Sequence, residues 1–460
     1  MDPDLSAPRR IHLVGAGGAG MGAIAAVLHA MGHTVSGSDL KGGPVLERLR
    51  VEGMEMHVGH DPDHVGDAEL VAISTAIPDR NPEVVTARER NLPVLRRSDL
   101  LPAISAQRRT IVVAGTHGKT TTSSMLAMAL VEAGIDPSFI IGGDVNEIGS
   151  GAVWDDGDWF VIEGDESDRT FLSLGAEVAV VTNIEPDHLE TYGNDPAELE
   201  AAFIEFASAA TTRVYCVDDD GARALAAAVP GVTFGTAHDA DYRMVDVERG
   251  RASVSFRIVN GNDEIARVEL PIPGMHNARN AAAAIVTSVL IGADAADAAR
   301  ALGRFGGVAR RFEFRGVVGG VTFVDDYAHL PTEVEAAIQA ASDGEWNRVI
   351  CVFQPHRYSR TAALWRDFAR SFNQADTIVV TDIYASGETP RPGITGKLVV
   401  DAVLDANPWA SVAWMPRLDD VTSWLVDRLR PGDLCLTLGA GDLTGLPDQV
   451  ISRLSGQGAA

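Results

Sequence analysis

Residues 111–125 read IVVAGTHGKTTTSSM. A β-branched run, a glycine turn and a Lys-Thr pair opening a further stretch form the layout of a phosphate loop. In such a loop backbone N–H groups wrap an anion at a helix start, a lysine reaches the outer phosphates and a hydroxyl ligates Mg2+. The usual first glycine is missing, because Val113 stands there, and His117 lies inside the loop. The candidate phosphate contacts are Gly115, Thr116, His117, Gly118, Lys119, Thr120 and Thr121. Lys119 stands apart, since the chain has three lysines in all, the others being Lys41 and Lys397. Taken alone, the stretch also fits a Gly-Lys-Thr turn without a ligand.

Two further residues could serve the same chemistry. Glu163 ends the apolar run WFVIE, and His188 follows VAVVTNI in the sequence EPDH. A carboxylate suits a hard cation such as Mg2+, with Thr120 as a second oxygen ligand. Histidine is less typical for that ion, so His188 reads either as a direct or water-mediated ligand or as a structural residue.

A second glycine loop lies near the N-terminus. Gly15-x-Gly17-x-x-Gly20 follows one apolar run and opens another, and Asp39 closes the next, TVSGSD. The pattern predicts close approach of backbone to a pyrophosphate through Gly15, Gly17, Gly18, Ala19 and Gly20. The Ser38-Asp39 region would then face a ribose. By itself the motif fits NAD, another diphosphate ligand such as a UDP-sugar, or a packing role.

These residues need strand ends to hold them, and the chain supplies the rhythm of strand, glycine-bearing turn and helix throughout. IHLVGAGGAGMGAIAAVLHAMGH, TIVVAG with the helix after it, and VTFVDDYAHLPTEVEAAIQAA are such units. Strands alternating with helices imply parallel sheets, whose ligands bind at the carboxyl ends of the strands. Residues 241–272 alternate apolar and polar around VNGNDE, which predicts an antiparallel hairpin insertion. The fold expected is α/β, with three Rossmann-like domains built on mostly parallel sheets. The expected boundaries are 1–108, 109–310 and 311–460, with the hairpin in the central domain.

Composition narrows the partners. A formal net charge of −26 on 460 residues repels nucleic acid and anionic membrane, so neither is expected as a partner. Residues 11–31 carry no Asp, Glu, Lys or Arg, yet five glycines argue for a buried strand-turn-helix over a membrane span. Three widely spaced cysteines, Cys216, Cys351 and Cys435, with no CxxC, predict reduced thiols and a cytoplasmic protein.

The order and spacing of GAGGAGMGAIA, SGSD, STAI, AGTHGKTTT, EGDESD, TNIEPDHLE, PGMHNARNAAAA, ARRFEF, DDYAHLPTE and FQPHRYSRT resemble the Mur ligase family over essentially the whole chain. His117, HNARN and FQPHR point to its alanine-adding branch. The resemblance implies an ATP-dependent, Mg2+-using ligase that joins L-alanine to UDP-N-acetylmuramate in peptidoglycan synthesis, as a monomer or weak homodimer. It implies UDP-sugar binding by the first domain, ATP binding by the second, and amino-acid and nucleotide contacts from the third. Lys119, Glu163, His188 and Arg311 would be catalytic, and Thr120, Glu163 and His188 would hold the metal. His276, Asn277 and Asn280 would meet adenine, Arg311 a phosphate, Asp326 the ribose, and His356, Arg357 and Arg360 the amino acid. For Asn277 and Asn280 helix capping is the alternative, and for Arg357 and Arg360 a solvated helix start. The family often carries a histidine where Leu330 stands. The carbamylated lysine of sister ligases is not expected, because no lysine follows Lys119 before Lys397. Two other readings compete: an NAD-dependent oxidoreductase, and a binding protein with a degenerate site. Three domains holding one substrate each would also predict a hinge motion before chemistry.

Overall fold

The computed structural model describes residues 3–145 and 148–457. Apolar runs become strands wherever both faces can be covered. Ile11, Leu13 and Val14 in the first, and Ile111, Val112 and Val113 in the sixth, are fully buried or nearly so. Each such side chain contributes about 1.5–3 kcal/mol when removed from water.

Among the described residues three sheets result. The first is wholly parallel, in the order Glu55–Val58, Thr34–Asp39, Arg10–Val14, Leu70–Ile73, Val94–Arg96. Its glycine loop leads from Arg10–Val14 into the helix Ala19–Ala30. The stretch that resembled a membrane span by charge is therefore a strand, a turn and a short helix. Among the described residues no helix is long and apolar enough to cross a membrane.

The second sheet has ten strands and is mixed. Its centre is Arg109–Ala114, paired in parallel with Trp159–Glu163 on one side and Val178–Val181 on the other. Ser138–Val145 lies beyond Trp159–Glu163 and pairs antiparallel with Ser150–Val153 at the edge. At the other edge stand Tyr242–Arg249, Val254–Asn260 and Asp263–Leu270. The last two are neighbours joined through Gly261 (φ 59°), a connection so short that only an antiparallel hairpin can use it. This is the hairpin expected from VNGNDE.

The third sheet runs Glu313–Val318, Val321–Asp326, Asp433–Leu438, Arg348–Phe353, Thr377–Val380, Val412–Trp414. Only its first pair is antiparallel. The fold is thus α/β with three domains on mostly parallel sheets. By contacts the chain divides into two compact units. One comprises Met1–Val245, Arg257–Val268 and Arg279–Gly303; the other comprises Asp246–Phe256, Glu269–Ala278 and Arg304–Ala460.

Candidate functional site

The loop after Arg109–Ala114 is shaped by two glycines. Gly115 has φ 132°, and a side chain there would run into Thr182 Oγ1 and the backbone of Asn183. Gly118 has φ 80° and caps the helix Lys119–Glu132; a Cβ on it would meet Asn280 Oδ1 at 2.5 Å. The left-handed region favours glycine at both positions. The segment Thr182–Glu185 braces the turn between them. Thr116 N donates to Asn183 O (3.2 Å) and His117 N to Asn183 Oδ1 (2.8 Å). Asn183 Nδ2 and Thr182 Oγ1 donate to His117 O at 3.0 and 2.6 Å. Glu185 N donates to Thr116 Oγ1 (2.8 Å), and the His117 ring lies 3.3 Å from Glu185 Oε2.

The helix that follows presents Lys119 and Thr120 at its start, where the peptide dipoles favour an anion. Thr120 Oγ1 donates to Glu163 Oε2 at 3.1 Å, and Gly142 N donates to Glu163 Oε1 at 2.5 Å. Lys119 Nζ donates to Gly115 O (2.6 Å) and Thr116 O (3.2 Å) and pairs with Glu166 at 2.7 Å. Burial pushes the Glu166 carboxyl above the usual range, against the pull of Lys119. Lys119, Thr120, Glu163 and Asn280 therefore gather around one loop. His188, in the left-handed region at φ 51°, pairs with Asp187 at 3.3 Å and lies 3.8 Å from Glu190. Among the described residues no three His, Cys, Asp or Glu side chains form a closed metal cage. Mg2+ does not need one, since it is commonly held by one or two protein oxygens plus substrate phosphates and water. The Thr120–Glu163 oxygen pair fits that requirement.

In the first sheet, Gly15 N and Ala16 N donate to Ser38 O at 2.8 and 2.9 Å, and Gly17 N donates to Asp39 Oδ2 at 3.0 Å. Gly18 caps the helix that Ala19 and Gly20 begin. Ser38 is fully buried and its hydroxyl donates inward to Glu83 Oε2 at 2.6 Å, so its carbonyl is what shapes the loop. Glu83 is also fully buried. His60 Nδ1 and His64 Nδ1 lie 3.0 and 2.9 Å from it, and His12 Nε2 lies at 3.8 Å. Burial opposes its ionisation, but His12, Ser38 and His64 outweigh that and bring its pKa down to about 2. The Arg97 guanidinium stands 3.7 Å from where a Gly20 side chain would begin. Sequence reasoning missed Glu83, His60, His64, Arg97 and Glu166. Glu83 stands in Asn81-Pro82-Glu83, just after STAI, and Glu166 in EGDESD, and those carboxylates were the visible signals.

The remaining candidates belong to the helix Met275–Leu290 and the third sheet. Asn277 is buried and donates to Pro273 O at 2.7 Å, while His276 packs on Gly274. Asp326 ends the strand Val321–Asp326 and accepts from Phe312 N and Ala328 N, each at 2.7 Å. Burial raises its pKa to about 6 although Arg311 pulls the other way. Arg311 lies over the Tyr327 ring at 5.0 Å and 3.9 Å from Glu333. Leu330 is buried before the helix Pro331–Ser342, its N–H donating to Glu333. After Arg348–Phe353 come His356, Arg357 and Arg360. His356 stacks on Tyr384 (5.8 Å, 10° between planes) and meets His329 edge-on at 5.5 Å. Arg360 Nη1 donates to His356 Nδ1 at 3.1 Å, which makes that nitrogen the acceptor and fixes the neutral tautomer with Nε2–H. Burial, with His329, Arg360 and Arg357 nearby, lowers the His356 pKa to about 4. Arg357 opens the helix Tyr358–Leu364 at φ 66°, a conformation that strains a long side chain. Its Nε is buried with no hydrogen-bond partner among the described residues.

Three sequence models of one family match the chain in order. "Mur ligase family, catalytic domain" covers residues 10–109, "Mur ligase middle domain" covers 113–288, and "Mur ligase, glutamate ligase domain" covers 310–441. The chain belongs to the Mur ligase family. It is an enzyme, a ligase of that family. It is similar to the UDP-N-acetylmuramate–L-alanine ligase of Halorhodospira halophila, at 44% identity over 98% of this chain and 95% of that one. The protein of the same name from Kineococcus radiotolerans is 45% identical over 97% and 96% of the two chains. Among solved structures, the UDP-N-acetylmuramate-alanine ligase of Thermotoga maritima superposes with a TM-score of 0.81 at 28% identity, over 98% of this chain and 100% of that one.

Proposed function

We propose that this Mur ligase joins L-alanine to the lactyl carboxylate of UDP-N-acetylmuramate, with conversion of ATP to ADP and phosphate. This would be the first amino-acid addition in bacterial peptidoglycan synthesis. The observation that carries the reading is the gathering of Lys119, Thr120 and Glu163 at one strand end. It occurs in a chain matched over nearly its full length by relatives of that name.

The chemistry follows from the weakness of a carboxylate as an acylating agent. A lactyl carboxylate oxygen attacks the γ-phosphorus of ATP, the bond to the β-phosphate bridging oxygen breaks, and ADP leaves. The resulting acyl phosphate carries a good leaving group. The alanine amine, having lost a proton, attacks the acyl carbon. The tetrahedral intermediate expels phosphate, the nitrogen loses a second proton, and the amide remains. Phosphoryl transfer asks a protein for position and charge neutralisation more than for covalent help.

In this reading residues 109–310 hold ATP: Gly115 to Thr121 wrap its phosphates and Lys119 neutralises the transferring group. Thr120 and Glu163, with His188, would hold Mg2+, which when bound neutralises phosphate charge. His276, Asn277 and Asn280 would contact adenine, Asp326 the ribose, and Arg311 a phosphate. Residues 1–108 would take the UDP moiety through Gly15, Gly17, Gly18, Ala19, Gly20 and Asp39, with Ser38 shaping the loop. Residues 311–460 would take alanine, whose carboxylate an arginine fork at Arg357 and Arg360 suits, with His356 beside it. The substrates and the three free, buried cysteines favour a cytoplasmic protein. A labelling experiment tests the intermediate. With 18O in both lactyl carboxylate oxygens, one label should appear in the released phosphate. Unlabelled phosphate would exclude the acyl phosphate.

A further inference from the structure

The ammonium of Lys119 is already fully engaged. It donates to Gly115 O at 2.6 Å, to Thr116 O at 3.2 Å, and to both carboxylate oxygens of Glu166 at 3.0 and 2.7 Å. A lysine has three N–H donors, so this set of acceptors uses them all. A phosphate oxygen can gain one only by displacing an acceptor. Of those present, Glu166 is the charged one and competes most directly with an incoming anion.

Glu166 is not a loose surface carboxylate. It is 3% exposed. Its own carbonyl accepts from the buried Tyr192 hydroxyl at 2.6 Å and from Arg169 N at 3.2 Å. The next residue is tied to the same turn, with Thr191 Oγ1 donating to Ser167 O at 2.7 Å. The Arg169 guanidinium covers the Tyr192 ring at 5.2 Å. The backbone that carries the carboxylate is therefore tied down and the side chain itself is enclosed, while the lysine rides on a longer, four-carbon stem. When the two part, the lysine is the one that moves.

We propose that Glu166 is a positioning residue that holds Lys119 back from the nucleotide and sets nucleotide affinity by competing with the phosphates for its ammonium. This rests on the reading of the loop as an ATP site. Binding of the triphosphate strips a buried carboxylate of its partner, and that cost is subtracted from the binding energy. Removing the charge at position 166 should therefore tighten binding. A residue needed only for structure would loosen binding or leave it unchanged.

The test is calorimetric titration of the full chain with Mg2+ and the non-hydrolysable β,γ-methylene analogue of ATP. Glu166→Gln should lower the Kd by about tenfold, the scale of one charge-assisted hydrogen bond. The KM for ATP should fall with it, without a rise in kcat. The gain should largely vanish when Lys119 is also changed to Met. An equal or weaker affinity in Glu166→Gln overturns the proposal, as does a gain that persists in full without Lys119. Should Glu166→Gln fail to fold, Tyr192→Phe loosens the same tether and should tighten binding to a smaller degree; no change or weaker binding there overturns the idea. If the unaltered chain does not bind the analogue at all, the ATP reading fails and this proposal with it. If the unaltered chain binds and the variants do not bind more tightly, only this proposal fails.

Discussion

His117 illustrates how much one side chain's surroundings decide. Its type was visible at once as odd for a phosphate loop. Its neighbours show it working as a strut, with ring and backbone both fastened to the Thr182–Glu185 segment. Lys119 is the opposite case, a residue to whose charge the proposed function assigns a reactive task. Lys119→Ala should lower kcat by about 100- to 1000-fold, the usual loss when one transition-state charge partner is removed, with the fold intact by circular dichroism. Unchanged turnover would remove the lysine from the chemistry. His356 can be tested through its titration. Its pKa falls from an ordinary 6.5 to about 4, so the native chain stays unprotonated between those values while the unfolded chain takes up a proton. The stability tied to His356 is therefore complete above pH 6.5 and is lost as pH falls towards 4. Asp326, raised to about 6, works against it, since its native carboxyl keeps a proton that the unfolded chain gives up above pH 3.8. Histidine NMR should show a His356 midpoint near pH 4, moving upward in Arg360→Met. A midpoint near 6.5 in the unaltered chain would contradict the geometry.

At the level of elements, the strand-loop-helix units were the most legible part of the sequence. Gly115 and Gly118 mark a turn that other residues enter only under strain, and the run before them is apolar enough to be a buried strand. Gly118→Ala should cost about 1–3 kcal/mol in urea denaturation, from the φ of 80° and from contact with Asn280. A loss below about 0.5 kcal/mol would mean that the loop tolerates a side chain and that Asn280 does not press on it. The pair Ser138–Val145 and Ser150–Val153 was not legible. SFIIGGDV lacks alternation, and its Gly142-Gly143 reads as loop, yet Gly142 donates its N–H to Glu163. That hydrogen bond ties the strand next to the sheet edge to the candidate metal carboxylate, and no local pattern encodes it.

Across the whole molecule, the α/β architecture could be read because it repeats a local rule, while much of each site's surroundings could not. Glu166 meets Lys119 across 47 residues of sequence and Ser38 meets Glu83 across 45. Neither partner announces itself by spacing, since topology alone brings them together. The net charge of −26 adds a global constraint. The anionic substrates proposed above would have to overcome that field, and Lys119, the helix starts and the arginines near Tyr327 and His356 are the local positive groups that would help them. The most direct test of the proposed ligation is phosphate release by the purified chain with Mg2+, in mixtures that omit ATP, UDP-N-acetylmuramate or L-alanine in turn. Release should require all three and match the amide formed one for one. No release in the complete mixture, or release indifferent to the sugar nucleotide or to alanine, would contradict it.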